Sequence, residues 1–323
     1  MERRRLASSD RHLSVLGYGA WVTGADTATR SLDAPALERA IDTAIDCGMN
    51  WIDTAEIYAS GMSERIVGRA IRERRDRILL STKVAPAGAG SGMGPEEIGR
   101  ALRASLSRLQ TDRVDLYLLH WYDPAVPLEE TWAAMRGLVD EGLARSAGVS
   151  NFGVDLVERC LEVGPVDAVQ NQLSLLHRDD VSSSIGWFRG RGISYIAYGS
   201  LAFGLLSGGI TTRTVFDRYD WRTGELVRYE ENYYRELFEP RRRERHLALI
   251  AELRDLAEEI GLSLPVLALR WVLEIPGVTS VVVGSLRPEH IRANAQAGVL
   301  PLDPDALRRI DALVRGRDGP AEP

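Results

Sequence analysis

Four side chains in the first part of the chain could move a proton and hold a growing negative charge together. Asp53 closes the apolar run Trp51-Ile52-Asp53, Lys83 closes the run Ile78–Lys83, and His120 closes the run Asp115–His120. Tyr58 lies on the loop after Asp53. A charge left unpaired in a half-buried mouth is costly, so Asp53 and Lys83 are expected to pair. A phenol with its ordinary pKa of ~10 is a poor proton donor near neutrality. A neighbouring ammonium favours the phenolate and pulls that value down. Asp53 then holds the Lys83 ammonium, Lys83 acts on the Tyr58 oxygen, and His120 donates a second hydrogen bond to the same oxygen. The set suits reduction of a carbonyl, in which charge appears on oxygen and a proton must arrive. Taken singly, Asp53–Lys83 can also be read as a buried ion pair, and a lone His120 is more often a packed core histidine. Three such residues at successive strand ends are harder to attribute to packing.

Short apolar runs alternate with longer amphipathic segments along almost the whole chain. Strands are expected at Leu13–Ala20, Trp51–Asp53, Ile78–Lys83, Val114–His120, Ser146–Val149, Ala168–Gln170, Ser194–Ala197 and Ser280–Val283. Helices are expected at Ala34–Cys47 with Asp33 as N-cap, Ser63–Arg74 capped by Ser63, Pro95–Leu109, Leu128–Glu141 and Val154–Leu161. Further helices are read at Val181–Gly190, Glu244–Ile260, Pro265–Glu274, Pro288–Ala297 and Pro304–Val314. Strands this short and apolar on both faces fit a parallel sheet buried on both sides. Eight strand–helix units after a candidate N-terminal β-hairpin close into an α/β fold, a (β/α)8 TIM barrel, as a single domain over residues 1–323. A doubly wound open sheet would carry G-x-G-x-x-G after its first strand, and Gly17-Tyr18-Gly19 is followed by Trp21-Val22 instead. In a barrel the chemistry sits where strands end.

Two stretches are irregular. Residues 85–94 are rich in Gly, Ala and Pro, and Gly204–Arg243 is too long for a connector, which marks it as a lid or binding loop. The tail 316–323 reads as frayed. With 45% hydrophobic and 27% charged residues among 323, the composition is that of a globular chain with ample core. A net charge of -6 argues against general affinity for nucleic acid or an anionic membrane. The run Arg241-Arg242-Arg243, with Arg245, reads as a solvated face at a helix start. Cys47 and Cys160 have no metal-like spacing, so no metal is expected, and reduced thiols place the chain in the cytoplasm. No apolar stretch follows the charged N-terminus, and none approaches the ~20 residues of a membrane helix.

The motifs resemble those of the aldo-keto reductase family. Asp53-Thr54-Ala55-Glu56-Ile57-Tyr58, followed by Gly61 and Ser63-Glu64, is similar to its first signature. Thr82-Lys83 resembles the catalytic-lysine strand, and Leu118-Leu119-His120-Trp121 the catalytic-histidine strand. Gly148-Val149-Ser150-Asn151-Phe152 and Gln170-Asn171-Gln172 resemble two cofactor segments. The resemblance implies hydride transfer without metal from NADPH, rather than NADH, to a small aldehyde or ketone, with Asp53, Tyr58, Lys83 and His120 catalytic. It implies that Ser150, Asn151 and Gln172 hold the nicotinamide carboxamide and that Tyr198 stacks on the ring. Ser200 and Leu201 follow as pyrophosphate contacts. Gly284, Ser285 and Arg287 precede a helix whose N-terminus suits a phosphate, and Ser285 and Arg287 are candidates for the 2′-phosphate. Asn294 matches the family's adenine contact.

Three positions depart from the family pattern. Ala293 stands where many members carry Glu. His290, whose charge depends on pH, stands where many carry Arg or Gln. Gly199 replaces the Ser after the stacking aromatic, with Ser200 next. Trp21 and Trp121 match positions that line the substrate pocket. Little chain follows the last helix, so an open pocket is expected. Gly204–Arg243 is expected to fold partly over the pyrophosphate. An alternative is a cofactor-binding regulatory subunit resembling the potassium-channel β subunits, which share this fold and turn over slowly.

Overall fold

A computed structural model of the protein describes residues 1–7, 9–21, 33–86, 93–216, 220, 222 and 237–315. The tail 316–323, much of Gly204–Arg243 and most of the loop 85–94 lie outside the described residues.

Two short antiparallel strands, β1 (Arg3–Arg5) and β2 (His12–Ser14), form the N-terminal hairpin. Eight parallel strands follow: β3 (Leu16–Gly19), β4 (Trp51–Asp53), β5 (Leu79–Val84), β6 (Leu116–Leu119), β7 (Ala147–Ser150), β8 (Ala168–Gln172), β9 (Ser194–Tyr198) and β10 (Val278–Val283). They close in sequence order, with β10 paired to both β9 and β3. The outer layer comprises α1 (Ala34–Asp46), α2 (Met62–Ile71), α3 (Pro95–Leu109), α4 (Leu128–Asp140), α5 (Val154–Val163), α6 (Asp179–Ser183), α7 (Ile185–Gly190), α8 (Pro240–Glu259), α9 (Leu264–Glu274), α10 (Pro288–Ala295) and α11 (Pro304–Arg315). The expected single (β/α)8 barrel with its hairpin is the observed fold.

Strand alternation sorts the side chains into two cores. Leu80, Tyr117, Leu119, Val149, Val169 and Tyr195 point outward into the layer shared with the helices. Trp51, Leu116, Leu118, Ala168 and Ile196 point inward and pack with Leu6 and Leu13 of the hairpin, which closes the N-terminal end. Trp51 fills the barrel floor, with its indole N–H donating to Ser14 O at 3.1 Å and Ser280 Oγ at 3.0 Å. The same alternation carries Asp53, Lys83, His120, Ser150, Gln170, Gln172 and Tyr198 inward at the opposite, C-terminal mouth.

Local chemistry explains where the elements begin. Asp33 caps α1 as expected, accepting from Ala36 N at 2.9 Å. Ser63 does not cap α2. That position is taken by Gly61 in a left-handed conformation, and the Ser63 hydroxyl turns inward to Thr54 Oγ1 at 2.9 Å and Ala20 O at 3.0 Å. The helix expected over Val181–Gly190 is two pieces, broken at Ser184, where φ is -133°. Helix α8 starts earlier than expected, because Glu239 accepts from Arg242 N at 2.9 Å and so caps it. Arg241 and Arg242 are solvated as expected. Arg243 is not: it donates to Thr211 O at 2.5 Å and Thr214 O at 2.7 Å, over the face of Phe216. Among the described residues, no helix is long and apolar enough to cross a membrane.

Candidate active site

Asp53, Tyr58, Lys83 and His120 meet at the barrel mouth. Lys83 is 1% exposed, and its Nζ uses all three of its donors. It reaches Asp53 Oδ2 at 2.5 Å, Thr54 O at 2.9 Å and Tyr58 Oη at 3.3 Å. Burial lowers its proton affinity, opposed first by Asp53. The other oxygen of Asp53 accepts from Gln170 Nε2 at 3.0 Å. Tyr58 is set by the turn Tyr58–Gly61, which runs through the left-handed region at Ala59, Ser60 and Gly61.

The His120 ring meets Tyr58 edge to face, with centroids 5.7 Å apart, and lies flat on Trp121 at 3.8 Å. Burial, and then Lys83, push its pKa well below the usual histidine value, so the imidazole is neutral. Its Nδ1 is buried without a hydrogen-bond partner among the described residues. Trp121, expected to line the pocket, therefore also fixes the plane of His120. Trp21 is half-buried and edge-on to Phe203 at 6.0 Å.

A second group of expected residues lies on the next strands. Ser150 Oγ donates to Gln170 O at 2.7 Å. Asn151, at φ 63°, donates to His120 O at 2.9 Å and accepts from Tyr198 Oη at 2.6 Å. Both side chains are thus engaged with the protein. Gln172 is different: both ends of its amide are buried without partners among the described residues, as is Ser200 Oγ. Leu201 is half-buried at the start of the 3-10 turn Ala202–Ser207.

The third group surrounds the start of α10. Gly284 packs against β3 so closely that a β-carbon would stand 2.3 Å from Gly19 O. Ser285 O accepts from Tyr18 Oη at 3.0 Å, and Ser285 Oγ accepts from Arg287 N at 3.1 Å and lies 3.5 Å from His290 Nδ1. Arg287 and His290 are exposed, and Asn294 is buried. Among the described residues, no cluster of His, Cys, Asp or Glu could hold a metal.

Gln170 is the residue that sequence reasoning passed over. The available signal was its position, since Gln170 closes the expected strand Ala168–Gln170 as Asp53, Lys83 and His120 close theirs. A second signal was also unused: of 40 Lys and Arg residues, Lys83 is the only lysine. A chain that otherwise uses arginine throughout keeps an ammonium where three short bonds must converge on one nitrogen.

Comparison with known proteins places the chain. The model of the aldo/keto reductase family matches residues 15–315. The chain belongs to this family. It is 33% identical to the aldo-keto reductase YhdN of Bacillus subtilis, over 97% of this chain and 94% of that protein. It is 31% identical to a probable voltage-gated potassium channel subunit beta of Arabidopsis thaliana, with 98% of each covered. An NADH-specific methylglyoxal reductase of Escherichia coli is 29% identical, over 92% of this chain and 93% of its own. Among solved structures, the glycerol dehydrogenase AKR11B4 of Gluconobacter oxydans superposes with a TM-score of 0.86 at 28% identity, covering 99% of this chain and 98% of its own. An aldo-keto reductase of Klebsiella pneumoniae in complex with NADPH gives 0.73 at 29%, covering 97% and 95%. Family and fold together make this an oxidoreductase.

Proposed function

We propose that this aldo-keto reductase reduces small aldehydes or ketones with NADPH, with Tyr58 as the general acid. The observation that carries the proposal is the line Asp53–Lys83–Tyr58, in which a buried ammonium lies 3.3 Å from a phenol oxygen. That ammonium stabilises the charge left on Tyr58 as its proton departs. Asp53 keeps Lys83 charged and, through Gln170, keeps its own place. Neutral His120 has one N–H to give and orients the carbonyl oxygen beside Tyr58. Trp21 and Trp121, whose indole stacks on His120, bound the space proposed for the carbonyl.

The buried polar atoms without partners are what a dinucleotide would satisfy. The Gln172 amide has a donor and an acceptor to offer a carboxamide, and Ser200 Oγ a donor to a pyrophosphate beside Leu201. Ser150, Asn151 and Tyr198, bonded to one another, would complete the nicotinamide end beside Gln172. Gly284, Ser285, Arg287, His290 and Asn294 suit the adenosine end, with Arg287 and Ser285 addressing the 2′-phosphate. When bound, the reduced nicotinamide supplies the hydride. Part of Gly204–Arg243 lies outside the described residues; slower amide exchange in that segment on adding cofactor is the expected sign that it meets the pyrophosphate.

The experiment is NADPH oxidation with 4-nitrobenzaldehyde, run in parallel with NADH. Turnover with NADPH that falls at least ~10²-fold in Tyr58→Phe is expected. Turnover that survives Tyr58→Phe overturns the assignment. The likeness to channel β subunits favours a second reading, cofactor binding with regulatory output. Tight NADPH binding with negligible turnover across a substrate panel would favour it.

A further inference from the structure

Behind β5 lies a polar cluster that the proton-transfer line does not use. Lys83 points into the barrel, so its neighbour Thr82 points out toward α2 and α3. There Thr82 Oγ1 donates to Glu64 Oε1 at 2.6 Å, and Arg108 Nε donates to Glu64 Oε2 at 2.5 Å. Glu64 has no exposed surface. Arg108 also donates to Ser105 Oγ at 2.9 Å and lies 4.0 Å from Glu56 Oε2. Glu56 Oε1 in turn accepts from Ala85 N at 3.1 Å. Two carboxylates from the β4–α2 segment that carries Tyr58 thus fasten β5 on either side of Lys83.

The same arginine reaches the turn after Tyr58. Its stem lies on Gly61, where a β-carbon would stand 2.7 Å from Arg108 Cδ. The turn runs through φ of 48° at Ala59, 53° at Ser60 and 81° at Gly61, a conformation that two non-glycine residues hold only when neighbours impose it. A buried ion pair is a poor device for stability alone, since apolar residues of equal volume do as well.

We propose that Glu64, clamped by Arg108 and Thr82, is a positioning residue for Lys83 and Tyr58: its fixed charge supports the ammonium from behind the strand, and its arginine seats the turn that aims the phenol. The inference rests on the roles proposed for those two residues. Burial acts against the ammonium, and Asp53 and then Glu64 act for it. The other groups facing this region are neutral His120, Tyr58 itself, Glu56, Arg108 and Tyr117. Tyr117 is a buried phenol that burial, Glu56 and Glu64 keep protonated. Removing the Glu64 charge lowers the proton affinity of Lys83 and Tyr58 together. Removing the Arg108 charge raises it.

Because Lys83 is the only lysine, protein labelled with [13Cε,15Nζ]-lysine gives one side-chain signal, whose titration reads Lys83 directly. In Glu64→Gln that titration, and the alkaline limb of kcat, should move down by about one pH unit. In Arg108→Gln both should move up, while Thr82→Val, which keeps the carboxylate, leaves the lysine titration in place. Shifts of the same sign in the two charge variants, or none, overturn the inference. If Glu64→Gln does not fold, the upward shift in Arg108→Gln against Thr82→Val decides. The lysine signal needs no turnover, so an inactive wild type sinks the reductase assignment alone, and an active enzyme without the shifts sinks this one alone.

Discussion

Gln170 and Asp53 sit on strands β8 and β4, diametrically across the barrel mouth, and are joined by a hydrogen bond of 3.0 Å from Nε2 to Oδ1. The carboxylate that holds Lys83 is therefore fixed across the full width of the barrel. A neutral acceptor would not need this; a buried anion does, because every unpaired lone pair is expensive there.

Replacing Gln170 by Leu removes a hydrogen bond to a charged group, worth about 1.5–3 kcal/mol. Stability should fall by that amount, and turnover by about tenfold, since Asp53 is free to rotate away from Lys83. The Kd for NADPH should stay unchanged, because Gln170 turns its Nε2 to Asp53, whereas the Gln172 amide is buried without a partner among the described residues. Denaturant melts beside a fluorescence titration of cofactor separate the two effects. A wild-type turnover in Gln170→Leu would mean the tie is incidental.

Lys83→Met strands the buried Asp53 charge and should cost about 3–5 kcal/mol. Adding Asp53→Asn removes that charge, so the double variant should recover most of the loss while remaining inactive. Thermal or urea unfolding of the wild type, Lys83→Met, Asp53→Asn and the double variant tests this coupling. An additive pair of costs would show that Asp53 and Lys83 do not depend on one another for stability.

The barrel was legible because each charged strand end closes an apolar run, and a run buried on both faces has little choice but a parallel sheet. Asp53, Lys83 and His120 stood out for that reason, and Tyr58 by its loop. What escaped was set by tertiary contacts that no spacing encodes. Ser63 reads as a helix cap until the left-handed turn at Gly61 moves the start of α2. Ser184 interrupts a pattern that is periodic on both sides of it. Trp121 reads as a pocket wall, and only the fold lays it flat on His120. The bonds that tie Ser150 to Gln170 O and Asn151 to His120 O, while the Gln172 amide has no partner among the described residues, are likewise written in no spacing.

His120 should leave a mark on stability below neutrality. Its pKa in the folded protein is far below the ~6.5 of an unfolded chain, because burial and Lys83 oppose its protonation. Above that unfolded value both states are neutral and the residue contributes no slope. As pH falls below it, the unfolded state takes up a proton that the native state refuses, and stability declines by about 1.4 kcal/mol per pH unit. His246, also lowered by burial, adds a slope of the same sign. The difference between wild type and His120→Gln isolates the His120 part, so Tm measured from pH 7.5 down to 5 should fall less steeply in the variant. Parallel curves would show that the histidine titrates normally in the folded protein.

Gly61→Ala tests the turn after Tyr58. The φ of 81° is unfavourable for alanine, and the new β-carbon meets Arg108 Cδ at 2.7 Å. The cost should be about 1–3 kcal/mol of stability, with a loss of kcat larger than any change in the affinity for NADPH, because the turn carries the phenol and not the cofactor. Equal loss in both would place the damage in the fold at large.

The proposed adenosine end offers a test of cofactor choice. Arg287 is exposed at the start of α10, its backbone N–H bound to Ser285 Oγ, with His290 on the other side of the same hydroxyl. These three groups crowd one spot at a helix N-terminus, where a phosphate dianion is favoured by the helix dipole and by the guanidinium together. An adenosine 2′-hydroxyl draws on neither. Arg287→Ala should therefore weaken NADPH about tenfold or more while leaving NADH within about twofold. The NADPH advantage should shrink as salt is raised, since an exposed arginine is screened. Binding titrations of both nucleotides at low and high ionic strength give the ratio directly. If Arg287→Ala weakens both equally, the arginine touches a part common to the two dinucleotides, and the discrimination must lie with Ser285 and His290.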